Sequence, residues 1–281
     1  MASVYEREFE FKKTDFEFIR DLVGERTGIV LSDHKIDMVY GRLSRRLRQL
    51  GIQKFADYLA KLQGDDNELI EFTNALTTNL TSFFREPHHF EFLKGKAIPS
   101  LLKNRANKRL RLWSAGCSTG EEPYTIAMTV KESMGVTSAT DVKILATDLD
   151  SNVVARAKAG IYNMDKVNGV DKSRQQKYFR RGRAENDGQM KVSPDLQDMI
   201  TFKQLNLMHD WPMQGPFDII FCRNVVIYFN KDTQRELFDR YANLLADDGY
   251  LFVGHSESLH KVTNRFQLIG KTIYRKSGGN E

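Results

Sequence analysis

Apolar runs and segments of helical periodicity alternate along the chain from about residue 109 onward. Strand-like runs include RLRLWSA, VKILATDLD, FDIIFC and YLFVG, and helix-like segments include EEPYTIAMTVKESMG, SNVVARAKAG and KDTQRELFDRYANLLADDG. Consecutive parallel strands need long crossovers, which are usually helical. The alternation therefore predicts an α/β fold, in which helices cover both faces of a mostly parallel sheet.

This alternation breaks between about residues 160 and 205. There, KYFRRGRAENDGQMKVSP has the pattern of two short strands around a polar turn, which predicts a small antiparallel β insertion at about residues 175–200. Further on, FQLIGKTIYRK predicts a hairpin that closes the sheet.

The first 90 residues or so have helical periodicity instead. TDFEFIRDLVGERTG predicts a helix capped by Thr14 with Glu17 three residues on, and SDHKIDMVYGRLSRRLRQLG predicts one that starts at Ser32–Asp33 and ends at Gly51. FADYLAKLQG and DDNELIEFTNAL predict two shorter helices. We therefore expect an all-α domain over residues 1–90 and an α/β domain over residues 91–281.

Composition excludes several classes of protein. The 281 residues are 41% hydrophobic and 28% charged, which is typical of globular domains. The two cysteines and six histidines show no spacing typical of zinc ligands or of a disulfide framework, and the net charge of +5 is too mild to indicate nucleic acid by itself. The start of the chain is charged rather than apolar, and no apolar run approaches the roughly 20 residues of a membrane span. We expect a soluble protein of the reducing cytoplasm that binds no metal.

The stretch LWSAGCSTGEEP follows the first predicted strand, where α/β sheets bind ligands. Gly116 and Gly120 would let the backbone approach a ligand closely. Their spacing is not GxGxxG, and Glu121 and Glu122 would repel a phosphate, so the stretch favours a cationic or hydroxyl-rich ligand. An ordinary strand–helix turn, with glutamates that stabilise the helix dipole, is the alternative.

Polar residues also end two other predicted strands. Asp148 stands where a carboxylate typically binds ribose hydroxyls, although it could instead cap the next helix, a role open to Asp150 or Ser151 as well. Arg223–Asn224 ends the strand FDIIFC and is followed by Tyr228, which is a candidate site residue or a core aromatic.

The second predicted helix has one apolar and one basic face. Between Lys35 and Lys54 there are six basic residues and one acidic residue, Asp37. A solvated surface explains such a face, and so does a docking site for an acidic helix or a nucleic-acid backbone. Only Tyr40 accompanies the charges, so base stacking has little support.

The stretch NALTTNLTSFFRE is the least ordinary in the chain. Its threonines, asparagines and serine are weak helix formers, yet they crowd beside Phe83, Phe84 and Arg85. Four motifs follow a basic helical domain in a fixed order: NALTTNLTSFFRE, then LWSAGCSTGEEPYTIA, then FCRNVVIYF, then GHSE. Together they closely resemble the CheR family, the chemotaxis-receptor glutamate O-methyltransferases, from about Phe16 to Tyr274.

The resemblance implies a Rossmann-type class I methyltransferase sheet behind the all-α domain. It implies S-adenosylmethionine as cofactor, S-adenosylhomocysteine as product, and glutamates of membrane chemoreceptors as substrate. It also implies a cytoplasmic protein that is recruited to chemoreceptor arrays without entering the membrane, and no nucleic-acid partner. Some members use the β insertion to hold a peptide at the receptor's C-terminus and carry Gly-x-Gly in its turn, where this chain has Ala184 in place of the second glycine.

The family's site residues match residues of the same type here. Arg85 and Tyr228 match the catalytic positions, and Phe83 and Phe84 are expected to pack their segment onto the α/β domain. The cofactor contacts implied by the resemblance are Asn79, Thr81, Arg85, Glu122, Asp148, Asn206, Leu207, Arg223 and Asn224. The receptor-docking residues it implies are Lys35, Arg42, Arg45, Arg46 and Arg48.

Two other functions share parts of this pattern. A nucleic-acid methyltransferase would use the same cofactor site and the basic helix. A non-catalytic signalling module would bind the cofactor and the receptor without turnover, although Arg85 and Tyr228 favour catalysis.

Overall fold

A computed structural model describes residues 7–103, 109–134 and 140–277. These residues belong to two compact units, one of Met1–Thr78 with Tyr228–Asn230 and the other of Asn79–Ile227 with Lys231–Glu281. The charged start of the chain (residues 1–6) and the predicted helix end at Gly135 lie outside the described residues. In the described ranges, no helix is both long enough and apolar enough to cross a membrane.

The first unit contains the four predicted helices. They are α1 (Lys13–Thr27), α2 (Ile36–Leu50), α3 (Phe55–Leu62) and α4 (Asp66–Leu76). Their buried faces form one apolar core, in which the side chains of Ile19, Val39, Leu43, Phe55 and Phe72 are at most 1% exposed. The chain segment at Tyr228 joins this unit through the Val30 N–H, which donates to the Tyr228 carbonyl at 2.8 Å.

Two predicted helix starts differ from the structure. The Thr14 cap is wrong, because α1 begins at Lys13 and the Asp15 carboxylate accepts the Lys12 backbone N–H at 2.8 Å. The residues Asp33–Lys35 form a 3₁₀ turn before α2 begins. At the other end, α2 stops at Gly51 as predicted, since that residue takes the left-handed conformation with φ 70°.

The second unit is built on a seven-stranded sheet and a three-stranded sheet. Its strands are β1 (Arg109–Ala115), β2 (Asp141–Asp148), β3 (Ile161–Asn163), β4 (Phe179–Arg181), β5 (Gln189–Val192), β6 (Ile200–Gln204), β7 (Phe217–Cys222), β8 (Leu245–Val253), β9 (Phe266–Gly270) and β10 (Ile273–Lys276). The large sheet has the order β6-β2-β1-β7-β8-β10-β9, and the small one has the order β3-β5-β4.

The helices of this unit connect and cover those strands. They are α5 (Pro87–Phe92), α6 (Ile98–Lys103), α7 (Glu121–Met134), α8 (Ser151–Ala159), α9 (Met164–Val167), α10 (Lys172–Tyr178), α11 (Pro194–Gln197) and α12 (Lys231–Leu244). A π turn at Leu93–Ala97 joins α5 to α6.

The large sheet has the predicted Rossmann-like character. Strands β6, β2, β1, β7 and β8 are parallel neighbours, and β10 runs antiparallel to β8 and to β9, which confirms the closing hairpin. The strand order reverses at β1, so its carboxyl end and those of β2 and β7 form the switch point where such sheets bind ligands.

The sequence pattern missed two strands and the start of a third. Strand β6 lies at a sheet edge and is mostly exposed, so it lacks the apolar run of a buried strand. Strand β3, only three residues long, adds a third strand to the predicted two-stranded insertion. Strand β8 begins at Leu245, because LADDG continues the strand rather than ending the preceding helix.

Candidate active site

The loop between β1 and α7 is held against the end of β2. The Thr147 carbonyl accepts the N–H groups of Gly116 and Cys117, both at 2.8 Å, and the Asp148 carboxylate accepts the Ser118 N–H at 2.7 Å. Ser118 takes a positive φ of 47° to make this turn. The loop is thus fixed by backbone contacts to its neighbouring strand.

The two glycines of this loop are needed for contacts within the protein. A Cβ on Gly116 would lie 2.3 Å from Val225 Cγ2, and one on Gly120 would lie 2.7 Å from the Tyr162 hydroxyl and 2.9 Å from Ala157 Cβ. Protein atoms therefore fill the space that a side chain would need at either glycine, and close approach of this backbone to a ligand stays a prediction.

Asp148 ends β2 with its carboxylate at the switch point. Its Oδ2 accepts the Ser118 N–H at 2.7 Å, and its Oδ1 accepts the Asp150 N–H at 3.1 Å. Burial raises the pKa of Asp148 to about 6, although these N–H groups act in the opposite direction. Asp150 caps α8 by accepting the N–H groups of Asn152 and Val153, so the helix-cap alternative belongs to Asp150 and not to Asp148.

Arg223 lies between two carboxylates at the end of β7. Its guanidinium contacts Glu122 Oε2 at 3.2 Å and Glu86 Oε2 at 3.3 Å, and it donates to the Arg85 carbonyl. The Arg223 side chain is only 2% exposed, and both carboxylates are 11% exposed. Burial raises the pKa of Glu122 in spite of Arg223 and the Ser114 hydroxyl, which donates to Glu122 at 2.7 Å.

The pKa of Glu86 is shifted in the opposite direction from that of Glu122, although Arg223 favours the charged form of both carboxylates. Burial works against its charged form, but a hydrogen bond from His255 and the charge of Arg223 outweigh burial and lower the pKa of Glu86 to about 2. Glu86 is thus an anion throughout the ordinary pH range. Sequence reasoning missed it, although it ends the quoted stretch NALTTNLTSFFRE.

That stretch is tied to the site at several points. The Asn79 side-chain amide donates to Asp150 at 2.7 Å, and the Asn79 carbonyl accepts the Ser118 hydroxyl at 2.9 Å. The Arg85 guanidinium donates to the Leu80 carbonyl at 2.9 Å and so closes the intervening loop, which contains Thr81. These contacts place Asn79 and Arg85 beside the switch point.

The two phenylalanines anchor the stretch, as predicted. The Phe83 ring is buried and packs edge-on against Tyr162 and Phe179 of the small sheet, with ring centroids 5.0 and 5.4 Å apart. The Phe84 ring packs on Phe90, and the Arg174 guanidinium lies 4.3 Å from its centroid.

Asn206 and Leu207 lie directly after the edge strand β6. The Leu205 N–H donates to the Asp148 carbonyl at 2.9 Å, which brings this segment to the end of β2. Asn206 Oδ1 accepts the Met208 N–H at 2.9 Å, and Leu207 is buried. Both residues therefore adjoin the predicted ribose site.

Three histidines surround Glu86. The rings of His88 and His89 lie side by side, with centroids 4.2 Å apart. Glu86, His88 and His89 offer ligand-type atoms within 4.8 Å of one another. Because the Arg223 guanidinium lies 3.3 Å from the same carboxylate, this is an unfavourable place for a cation, and we assign no metal to it.

His255 makes contacts that resemble a serine-hydrolase triad. Its Nδ1 lies 2.9 Å from Glu86 Oε1, and the Ser256 hydroxyl lies 3.0 Å from its Nε2. The His255 side chain is 67% exposed, and the carboxylate that would orient it already faces Arg223. We therefore assign His255 to holding Glu86 rather than to activating Ser256.

The predicted docking residues separate into two groups within the helical unit. Arg42 is half-buried and donates to the Leu76 and Thr77 carbonyls at 2.8 and 2.5 Å, where it caps the end of α4. Arg46 forms a two-point ion pair with the buried Glu68, at 2.8 and 2.6 Å. The remaining three, Lys35, Arg45 and Arg48, are exposed.

The remaining predicted residues lie on the segment after β7. Asn224 has a positive φ of 58° and belongs to the α/β unit. Tyr228 ends a 3₁₀ turn, Val226–Tyr228, is half-buried, and is grouped with the helical unit. The structure thus brings Asn79, Arg85, Glu122, Asp148, Arg223 and Asn224 to one edge of the sheet in the α/β unit.

The fold and this site define an S-adenosylmethionine-dependent methyltransferase, and comparison with known families supports that assignment. The SAM-binding domain of CheR methyltransferases matches residues 79–275, and their all-alpha domain matches residues 14–77. The chain belongs to the CheR methyltransferase family.

Curated relatives match over most of their length. The chemotaxis protein methyltransferase of Escherichia coli is 44% identical over 93% of this chain and 90% of its own. Chemotaxis protein methyltransferase 2 of Pseudomonas aeruginosa is 42% identical over 95% of each chain. Among solved structures, an S-adenosylmethionine-dependent methyltransferase from Mesorhizobium loti aligns with 57% of this chain and 54% of its own at 18% identity, with a TM-score of 0.32, which is too weak a likeness to support an argument.

Proposed function

We propose that this methyltransferase esterifies glutamate side chains on the cytoplasmic domains of membrane chemoreceptors. S-Adenosylmethionine would supply the methyl group and a glutamate oxygen would accept it, which gives a glutamyl methyl ester and S-adenosylhomocysteine as products. The observation that supports the proposal is the set of carboxylates at the switch point, namely Glu86 and Glu122 around Arg223, together with Asp148. The relatives of this chain are named chemotaxis methyltransferases.

The side chains at the switch point fit the cofactor. The Ser118 and Asp150 N–H groups hold the Asp148 carboxylate at the switch point, and a carboxylate has about four acceptor sites, so it can also bind a ribose hydroxyl. Glu122 supplies negative charge that suits the cationic methionyl end, and its bond to Ser114 fixes its orientation. When bound, the cofactor supplies an activated methyl group, and the chain's own residues hold and orient the reactants.

The substrate needs orientation more than activation. A glutamate carboxylate has an ordinary pKa of about 4.3, so near neutral pH it is already the nucleophile and needs no general base. We assign Tyr228 to orienting that carboxylate by a hydrogen bond. Arg85 would hold the same carboxylate or that of the methionyl group, once it exchanges its present bond to the Leu80 carbonyl.

Replacement of the Tyr228 hydroxyl tests this assignment directly. Tyr228→Phe should lower kcat and leave cofactor affinity unchanged, because it removes one hydrogen bond to the substrate. Tyr250→Phe, in a buried ring that packs on Phe92 at 5.8 Å, is the control. Full methylation by Tyr228→Phe would show that the hydroxyl has no such role.

The docking part of the proposal rests on the exposed cations of the helical unit. Replacing Lys35, Arg45 and Arg48 together by alanine should weaken receptor binding, reduce its salt dependence, and leave cofactor affinity unchanged. The control removes the same number of charges from α1 or just before it, at Lys12, Lys13 and Arg20. Equal losses in the two triple variants would indicate only a general effect of net charge.

The small sheet provides a second possible receptor contact, and we propose that it holds a receptor C-terminal peptide. Strand β4 is at the edge of that sheet, and Arg180 and Arg181 are exposed on it. Ala184 has φ 53°, the left-handed region that glycine favours, so the turn takes a glycine-like form without glycine. Titration with such a peptide should show binding that Arg181→Ala weakens, and no binding to the intact protein would reject this contact.

One labelling experiment separates the proposal from its rivals. The protein is incubated with methyl-labelled S-adenosylmethionine and either chemoreceptor-bearing membranes or RNA and DNA. Base-labile label on receptor protein supports the proposal, and label on nucleic acid rejects it. Tight cofactor binding without transfer would indicate a non-catalytic module. We also propose that the protein acts in the cytoplasm at chemoreceptor arrays, which a fluorescent fusion would test by its position in cells with and without receptors.

A further inference from the structure

The Glu257 carboxylate joins the loops that follow two adjacent strands. Its Oε2 accepts the backbone N–H groups of Gly254 and Asn224, at 2.5 and 2.8 Å, and its Oε1 accepts those of Val225 and Ile227, at 2.9 and 3.3 Å. Gly254 follows β8, and the other three follow β7. One side chain therefore satisfies four backbone donors at the switch-point edge of the sheet.

The surroundings of Glu257 leave little freedom for another arrangement. The residue is 3% exposed, and burial raises its pKa although the four N–H groups favour the ionised form. A Cβ on Gly254 would lie 2.5 Å from Asn224 Nδ2 and 2.9 Å from the Asn224 nitrogen, so the two loops touch. Asn224 holds φ at 58° in this contact, a conformation that a residue other than glycine adopts at a cost of about 1 kcal/mol.

We infer that Glu257 is a positioning residue for methyl transfer. Its carboxylate fixes the backbone of Asn224–Ile227, which sets the direction of the Asn224 side chain and the point from which the chain continues to Tyr228. The inference rests on the proposed function, because Asn224 and Tyr228 matter here as cofactor and substrate contacts. Glu257 itself touches neither reactant and acts through this loop.

Glu257→Gln is the informative change, because it preserves volume but replaces one acceptor oxygen by an NH₂ group. That NH₂ faces two backbone N–H donors, so the loop must shift. Losing such charge-assisted bonds should lower kcat about tenfold to a hundredfold. The ¹H–¹⁵N resonances of Asn224, Val225 and Ile227 should move at the same time.

Two variants distinguish positioning from simple loss of stability. Leu237 lies in the core under α12 and is 1% exposed, so Leu237→Ala creates a cavity and should lower Tm. Its kcat, measured well below Tm, should stay within about twofold of the wild-type value. Glu257→Asp keeps the charge with shorter reach and should retain more kcat than Glu257→Gln. If Glu257→Gln does not fold, the kcat and Tm of Glu257→Asp are compared with those of Leu237→Ala. Equal kcat in the Glu257 variants and Leu237→Ala would overturn the inference.

Asn224→Ala separates this inference from the proposed function. If Asn224→Ala leaves S-adenosylmethionine affinity unchanged, the cofactor assignment of Asn224 is wrong, and Glu257 has nothing to position there. If Asn224→Ala weakens that affinity but Glu257→Gln changes neither affinity nor kcat, the site stands and the role of Glu257 is refuted.

Discussion

Removal of the Arg223 charge gives the sharpest test of the site's electrostatics. Arg223→Met keeps much of the side-chain volume and deletes the guanidinium that contacts Glu122 at 3.2 Å and Glu86 at 3.3 Å. Both carboxylates are 11% exposed, so water replaces that partner poorly. Removing one partner from a buried ion pair typically costs about 3–5 kcal/mol. We expect a decrease in the free energy of unfolding within that range at pH 7.

The pH dependence of the same variant follows from Glu86. Its pKa in the folded protein is about 2, below the ordinary value of 4.5, so its ionisation stabilises the fold fully above about pH 4.5, and this stabilisation is lost as the pH falls through 2. Without Arg223 the pKa of Glu86 rises. In Arg223→Met the acid-side loss of stability should therefore begin at a higher pH than in the wild type.

Urea unfolding at pH 7 and at several lower pH values measures both effects. The control is Arg235→Met, because Arg235 pairs with Asp232 on the surface, where the two side chains are 52% and 90% exposed. Such a surface ion pair contributes only about 0–1 kcal/mol to the free energy of unfolding. Adding Glu122→Gln to Arg223→Met should recover part of the loss, since it removes one uncompensated charge. Equal losses for the two arginine variants, or no recovery in the double variant, would refute the argument.

Three further changes test the rest of the site. Cofactor affinity should fall as the pH drops below about 6, because protonation of Asp148 removes the negative charge that strengthens its bond to the ribose hydroxyl. Calorimetric titration of Asp148→Asn should show weak binding without this pH dependence. Gly116→Ala should destabilise the protein by about 1–3 kcal/mol, because the new Cβ clashes with Val225 and alanine is strained at φ 121°. In thermal unfolding, Val225→Ala should recover only the part of this loss that comes from the clash. Phe83→Ala should cost about 3–5 kcal/mol by urea unfolding, since it empties the aromatic contact with the small sheet, and a loss below 1 kcal/mol would show that this ring is no anchor.

Much of the fold could be predicted because its signals are local. Helices α1 to α4 and the buried parallel strands carry apolar periodicity that reflects burial along a single element. Strand β6 could not be found in this way, since an exposed edge strand buries too little to leave an apolar run. The predicted position of Asp148 at the end of β2 was correct because the end of a strand is itself a local feature.

The contacts that hold the site could not be predicted, because they join residues that are far apart in sequence. Glu86 meets Arg223 and His255 across more than a hundred positions, and no spacing in the chain indicates this. Glu257 bonds to the backbone of Asn224 and its neighbours, and backbone N–H groups carry no residue-type signal at all. The resemblance to the family supplied the string GHSE but not the role of its glutamate.

The basic face of α2 shows most clearly what charge patterning leaves undecided. Arg42, Arg45 and Arg46 share one sequence environment, yet Arg42 caps α4 and Arg46 pairs with the buried Glu68, while Arg45 is exposed. Tyr58 also donates to Glu68 at 2.9 Å, so Arg46→Ala would leave a buried carboxylate with one partner fewer and weaken the fold before it affected any receptor. A docking surface is therefore defined by the cations that stay exposed, and the bonds made by Arg42 and Arg46 restrict it to Lys35, Arg45 and Arg48. Of these, Arg48 also pairs with the exposed Glu8 at 3.2 Å.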